Sequence, residues 1–176
     1  MAVCGPPTSM TTVSSVTESL FQRGSQYQQF RPTYPPSLFQ WLANQCPCRD
    51  RAMDLGCGSG QASRGLEPWF RQVIGADISH PQLLAAPPSS SHYLVSVAHR
   101  LPLADASLDL ITVAQAYHWF DQAAFQAEAE RTLRPGGVLV FATCSLAPEE
   151  GPEIVANLLA SDDRLRRSPI AAGEIG

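Results

Sequence analysis

The chain contains no lysine: all twelve of its basic residues are arginines. That absence excludes mechanisms built on a lysine Schiff base or on the lysine of a phosphate loop. There is no basic surplus either. Sixteen acidic residues against twelve basic ones leave a net charge of -4, which gives no electrostatic footprint for nucleic acid. No apolar run reaches transmembrane length, and the opening "MAVCGPPTSMTTVSSVTESL" lacks the apolar core of a signal peptide. Five cysteines (Cys4, Cys46, Cys48, Cys57 and Cys144) are an odd number with scattered spacing. Disulfides are therefore not expected, and a reducing, cytoplasmic setting is. The C-x-C pair at Cys46 and Cys48 has no second ligand pair or nearby histidine behind it, so no metal site is expected.

What is present is the composition of a soluble globular protein. At 176 residues, 44% hydrophobic and 16% charged, the chain suffices for one domain with a core and is too short for two ordinary ones. Residues 1–18, rich in Ser, Thr and Pro, are expected to be disordered. Residues 19–160 are expected to form the domain, and 161–176 an irregular tail. A turn at Arg31–Pro36 precedes a helix over 37–45. From residue 51 short apolar runs alternate with helical stretches. "RAMDLG", "QVIGADIS", "HYLVSVA", "SLDLITVAQA" and "GVLVFATCS" read as strands. Between them "QASRGLEPWF", with Ala62, Leu66 and Phe70 on one face, and "HPQLLAA" read as helices. The clearest helix is "FDQAAFQAEAERTLRPGG". Phe120, Ala124, Phe125, Ala127 or Ala129, and Leu133 give it an apolar side, and Pro135-Gly136-Gly137 is expected to end it. "PEIVANLLAS" reads as one more. This alternation predicts an α/β fold, a doubly wound parallel sheet with helices on both faces. Its ligands should sit beyond the carboxyl ends of the strands.

The stretch at that place is "DLGCGSG", residues 54–60. Gly56, Gly58 and Gly60 permit tight backbone angles and leave no side chain between the turn and a ligand. A merely tight strand-to-helix turn needs one or two glycines, not three. The dinucleotide pattern G-x-G-x-x-G fails in both registers, because its third position falls on Gln61 or Ser63. A phosphate loop fails for want of lysine. Asp54 would repel phosphate and can hold an ammonium group, directly or through water. Asp77 closes the second strand, where an acid can accept both hydroxyls of a ribose; capping of the following helix is its other reading. A nucleoside with a cationic, amino-acid-like end and no phosphate is implied, which describes S-adenosylmethionine.

With "DLGCGSGQAS", "VIGADIS", "RLPLADASLDLITVAQAYHWFD" and "LRPGGVLVF" in this order, residues 21 to about 146 resemble a class I S-adenosylmethionine-dependent methyltransferase. "RPTYP" and "HWFD" are similar to segments of the small-molecule methyltransferases that include trans-aconitate methyltransferase. The resemblance implies a Rossmann-like fold and, residue by residue, a site. Asp54, Gly56 and Gly58, with Gly60 in the same turn, would cradle the methionine part of the cofactor. Asp77 would hold the ribose, Ile78 would lie against adenine, and the backbone of Ala98 would meet the adenine edge. Val97 and His99 stand where the family often has polar or acidic neighbours of that alanine. Gln115 would face the sulfonium and the substrate, and His118, Trp119 and Phe120 would line the substrate pocket. His118 is read as structural before it is read as a base, since methyl transfer to a carboxylate removes no proton. Arg31 and Tyr34 either belong to a lid, with Arg31 meeting an anionic group, or to a proline-stiffened connector.

Family members usually have two further, antiparallel strands after the fifth, and the roughly thirty residues after Ser145 offer no strand run. A five-stranded sheet with an exposed fifth strand is expected, and with it a protein partner covering that edge. Three readings follow: a methyltransferase acting on a small molecule such as a carboxylic acid, a cofactor-binding protein without turnover, and an interaction module.

Overall fold

The mostly apolar runs form strands, of which the three at the centre of the sheet are buried on both faces. The computed structural model describes residues 34–142 together with Glu153, Val155, Ala156 and Ala160. Helix α1 (Pro36–Gln45) comes first, with prolines at its start where a missing N–H is harmless. Then follow β1 (Arg51–Leu55), α2 (Gln61–Leu66), β2 (Gln72–Asp77), α3 (His80–Leu84), β3 (His92–Val95) and β4 (Leu108–Ala114). A 3-10 turn at Tyr117–Trp119, helix α4 (Gln122–Thr132) and β5 (Leu133–Ala142) complete the series.

All four pairings are parallel and the strand order is β3-β2-β1-β4-β5. The chain winds outward from β1 to β3 and then returns to the other side of β1 with β4. That reversal is the switch point at which α/β sheets open a crevice. On one face α1 and α2 bury Phe39, Leu42 and Leu66 against Ala52, Val73 and Leu110. On the other, α4 buries Phe125 and Ala129 against Met53, Ile111 and Val113. The fold is thus the five-stranded, Rossmann-like one expected. The helix anticipated at 152–161 is represented by Glu153, Val155, Ala156 and Ala160, all helical. The segment 1–18, Arg31 and the tail 161–176 lie outside the described residues.

Two expectations about α4 need correction. Phe120 is not part of it, because Asp121 is its N-cap and accepts the Ala124 N–H at 3.2 Å. Nor does it run to the Pro-Gly-Gly sequence. The carbonyls of Arg131 and Thr132 are taken by the N–H groups of Ala106 and Ser107 at 2.9 and 2.8 Å, and Leu133 already pairs with Leu108. The residues after it make a bulge, since the register moves from Leu108↔Leu133 to Leu110↔Val138. Gly136, with φ 79°, turns inside that bulge.

Candidate functional site

The crevice opens where β1 ends and the chain enters its glycine turn. Gly56 and Cys57 both donate their N–H groups to Ala76 O, at 2.8 and 3.1 Å. This folds the turn back over the end of β2. Gly56, Gly58 and Gly60 all have positive φ, at 65°, 55° and 73°, a region in which other residues are strained.

Two of these glycines are required by the protein itself. A Cβ at Gly56 would overlap the Cβ of Ala116 and stand 3.6 Å from Phe120 Cζ. The glycine therefore lets the turn close against the loop after β4. A Cβ at Gly60 would run into the Tyr93 hydroxyl. The close approach expected for a ligand is, at these two positions, an approach of protein to protein. Gly58 acts through its backbone instead, donating its N–H to Asp77 Oδ2 at 2.8 Å.

Asp77 is held on both oxygens, since Ser79 N–H donates to Oδ1 at 2.7 Å. A carboxylate has about four lone-pair positions, so this half-buried acid keeps acceptor capacity while its orientation is fixed. Next to it Ile78 is 73% exposed, and Val95, which pairs with Asp77, is 54% exposed. Apolar side chains thus stand open beside the acid. Ala98 is partly buried against the core below.

Asp54 is 1% exposed. Ser63 Oγ donates to its Oδ2 at 2.7 Å and Thr112 Oγ1 to its Oδ1 at 3.2 Å. A carboxylate buried without such donors would be costly. Ser63 and Thr112 are members of the site that sequence reasoning missed. Only Thr112 left a signal, a hydroxyl within the apolar run Leu110–Ala114; Ser63, beside Gln61 and Arg64, left none. Cys57 is buried, and burial, then the charges of Asp54 and Asp77, push its thiol well above the usual range. It is held neutral.

The β4 side of the crevice runs from Gln115 to Phe120. Gln115 adopts φ 63° and donates its N–H to Ala142 O at 2.7 Å. A non-glycine residue there is uncommon and marks a position fixed by its surroundings. His118 and Trp119 are exposed, their rings 4.8 Å apart. Tyr117 is buried instead, stacked on Phe141 at 5.2 Å and edge-on to Phe125 at 5.7 Å. The 3-10 turn is thus anchored by Tyr117 and displays its next two side chains. Tyr34 is elsewhere, in a 370 Å³ groove with Phe39, Gln61, Gly65 and Trp69. Arg31 lies outside the described residues. Among those residues no cluster of His, Cys, Asp and Glu has the arrangement of a metal site, and no helix is long and apolar enough to cross a membrane.

The family model described as "Methyltransferase domain" matches residues 53–141, from the centre of β1 to the end of β5. The chain belongs to this methyltransferase family. A methyltransferase of Dictyostelium discoideum is 42% identical over 117 residues, which are 65% of this chain and 44% of that protein. The malonyl-[acyl-carrier protein] O-methyltransferase of Dechloromonas aromatica is 40% identical over 98 residues, 54% of this chain and 36% of that one. Among solved structures, a type II methyltransferase from Anaeromyxobacter dehalogenans superposes with a TM-score of 0.63 at 41% identity. The match covers 76% of this chain and 60% of that one. This methyltransferase domain therefore spans less than half the length of these curated relatives.

Proposed function

We propose that this methyltransferase domain binds S-adenosylmethionine at the open ends of β1, β2 and β4, for transfer of its methyl group to a small molecule bearing a carboxylate. The observation that carries the cofactor reading is Asp77 beside Ile78: an oriented acceptor next to an apolar side chain left 73% exposed. That pair suits a ribose and a base. Two acids at the turn and a chain without lysine do not suit phosphate.

When bound, the cofactor supplies an electrophilic methyl group on a positive sulfur. The chain's own residues would do the rest. Asp77 accepts the ribose hydroxyls, Ile78 lies against the adenine, and the Ala98 backbone meets its edge. Gly56, Gly58 and Gly60 shape the turn around the methionine end, and Asp54 sends its negative potential through that turn. Gln115 faces the reacting groups. His118 orients an acceptor without taking a proton, and Trp119 walls the pocket. Catalysis of this kind rests on alignment and on keeping water from the nucleophile. The carboxylate is supported by relatives named malonyl-[acyl-carrier protein] O-methyltransferases.

A second reading, cofactor binding without turnover, is favoured by the exposure of His118 and Trp119, which leaves the acceptor side of the crevice open among the described residues. The partner expected on β5 belongs to that reading. Calorimetry of the full chain with S-adenosylmethionine tests the first step: no saturable binding ends both readings. A radiolabelled methyl-transfer screen tests the second. Labelled acids support the proposed acceptor, labelling confined to thiols or amines replaces it, and binding without any labelling leaves the second reading.

A further inference from the structure

Tyr93 stands directly opposite Gly75 in the pairing of β3 with β2. Its ring covers that glycine: a Cβ on Gly75 would meet Cδ1 and Cε1 at 2.7 Å each. The same side chain continues to the cofactor turn. There a Cβ on Gly60 would overlap the phenol oxygen and stand 2.7 and 2.8 Å from Cζ and Cε1. The Cys57 Sγ lies 3.0 Å from the Gly75 Cβ position, so the turn and the ring close over the same glycine. The hydroxyl is 3.3 Å from Ser89 Oγ. One tyrosine thus accounts for the missing side chains of two glycines, one in the sheet and one in the turn. Covering a strand glycine with a cross-strand aromatic ring is a known way to fix a sheet. Here the ring extends that support to the loop which carries Gly58.

We propose that Tyr93 is a positioning residue for the cofactor site. It props the turn from Cys57 to Gly60 so that the Gly58 N–H and Asp77 keep their places, and it does so through protein contacts alone. The affinity arm of this inference rests on the cofactor reading above; the exchange arm does not.

The test compares the full chain with Tyr93→Phe, Tyr93→Leu, Gly60→Ala and Gly75→Ala. Amide hydrogen exchange of residues 56–60 is read without ligand, and S-adenosylmethionine affinity by calorimetry. Tyr93→Leu is expected to speed exchange of the turn by about tenfold or more, with the β1 and β4 amides unchanged, since local opening is separable from global unfolding. Tyr93→Phe, which keeps the ring, is expected to restore protection to within about threefold. Gly60→Ala and Gly75→Ala push on the ring from its two ends and should loosen the same turn. Gly75→Ala decides the matter if Tyr93→Leu does not fold, because Gly60 at φ 73° strains any side chain whatever the ring does. Cofactor affinity should fall about tenfold in the loosened variants. The proposal is overturned if exchange rises evenly across the sheet, if the turn is unaffected, or if affinity stays constant while the turn loosens. If the unaltered chain binds no cofactor, the cofactor reading fails, and the exchange pattern alone upholds or rejects the prop.

Discussion

Gly58 N–H and Asp77 Oδ2 are 2.8 Å apart, and this bond joins the turn after β1 to the end of β2. The acid assigned to the ligand is therefore also a fixed part of the turn. Its substitution acts on both.

Asp77→Ala is expected to weaken S-adenosylmethionine binding by about 1.5–3 kcal/mol, the range for hydrogen bonds to a charged group. Calorimetry measures it. Unchanged affinity would remove the ribose assignment, whatever else the chain binds.

Ser63 and Thr112 hold Asp54 from α2 and β4. Ser63→Ala and Thr112→Val should each lower stability by about 1–3 kcal/mol, because each strips a donor from a buried carboxylate. The double variant should depart from additivity, since both act on one group. Urea denaturation gives all three values. Losses below the error of that measurement would show that Asp54 does not depend on these hydroxyls.

Glu128 accepts from Arg131 Nε and Nη2 at 2.9 and 2.7 Å and from Leu101 N–H at 2.6 Å. Arg131 leads the groups that hold its carboxyl below the usual value of 4.5, with burial opposing and the Leu101 amide assisting. A depressed folded value means that the stabilisation is fully present above the unfolded value and is lost as pH falls through the folded one. Glu128→Gln should therefore cost about 1.5–3 kcal/mol near neutral pH. Its deficit should close as pH drops below 4.5. Thermal unfolding of the two proteins across that window measures the difference. A deficit that is constant with pH would refute the charge-based account.

Cys46 and Cys57 are buried and Cys48 is exposed. Burial, reinforced by Asp109 and opposed by Arg49, pushes the Cys46 thiol up to about 11, and Cys57 is raised further. Alkylation at pH 8 followed by peptide mass spectrometry should modify Cys48 first of these three, because the thiolate is the reactive form. Cys57 should react only when the turn opens. Early modification of Cys57 would contradict its burial.

The strands were legible because β1, β2 and β4 are mostly apolar and almost wholly buried, as strands covered on both faces tend to be. Asp54, Asp77 and the three glycines were legible for a related reason: they interrupt those runs at one end. The glycines' partners were not. Ala116 and Tyr93 come from other parts of the chain and meet the turn only after the sheet is assembled. The end of α4 was misread for the same physical reason. Pro135-Gly136-Gly137 looks like a helix stop in sequence, whereas Ala106 and Ser107, more than twenty residues earlier, capture the last carbonyls first.

The position of β1 at the centre of the sheet also favours one order of assembly. Ala52 pairs with Val73 on one side and with Leu110 on the other, separations of 21 and 58 residues. Closing the longer loop costs about 0.9 kcal/mol more in chain entropy by the logarithmic rule. The β1–β2 unit can form while β4 is still being synthesised, with Ser63 already at hand for Asp54. Thr112, Ala116 and Gln115 arrive together when β4 docks. The crevice thus closes only when β4 joins β1, so a nascent chain that takes up ligand there has already been made beyond β4.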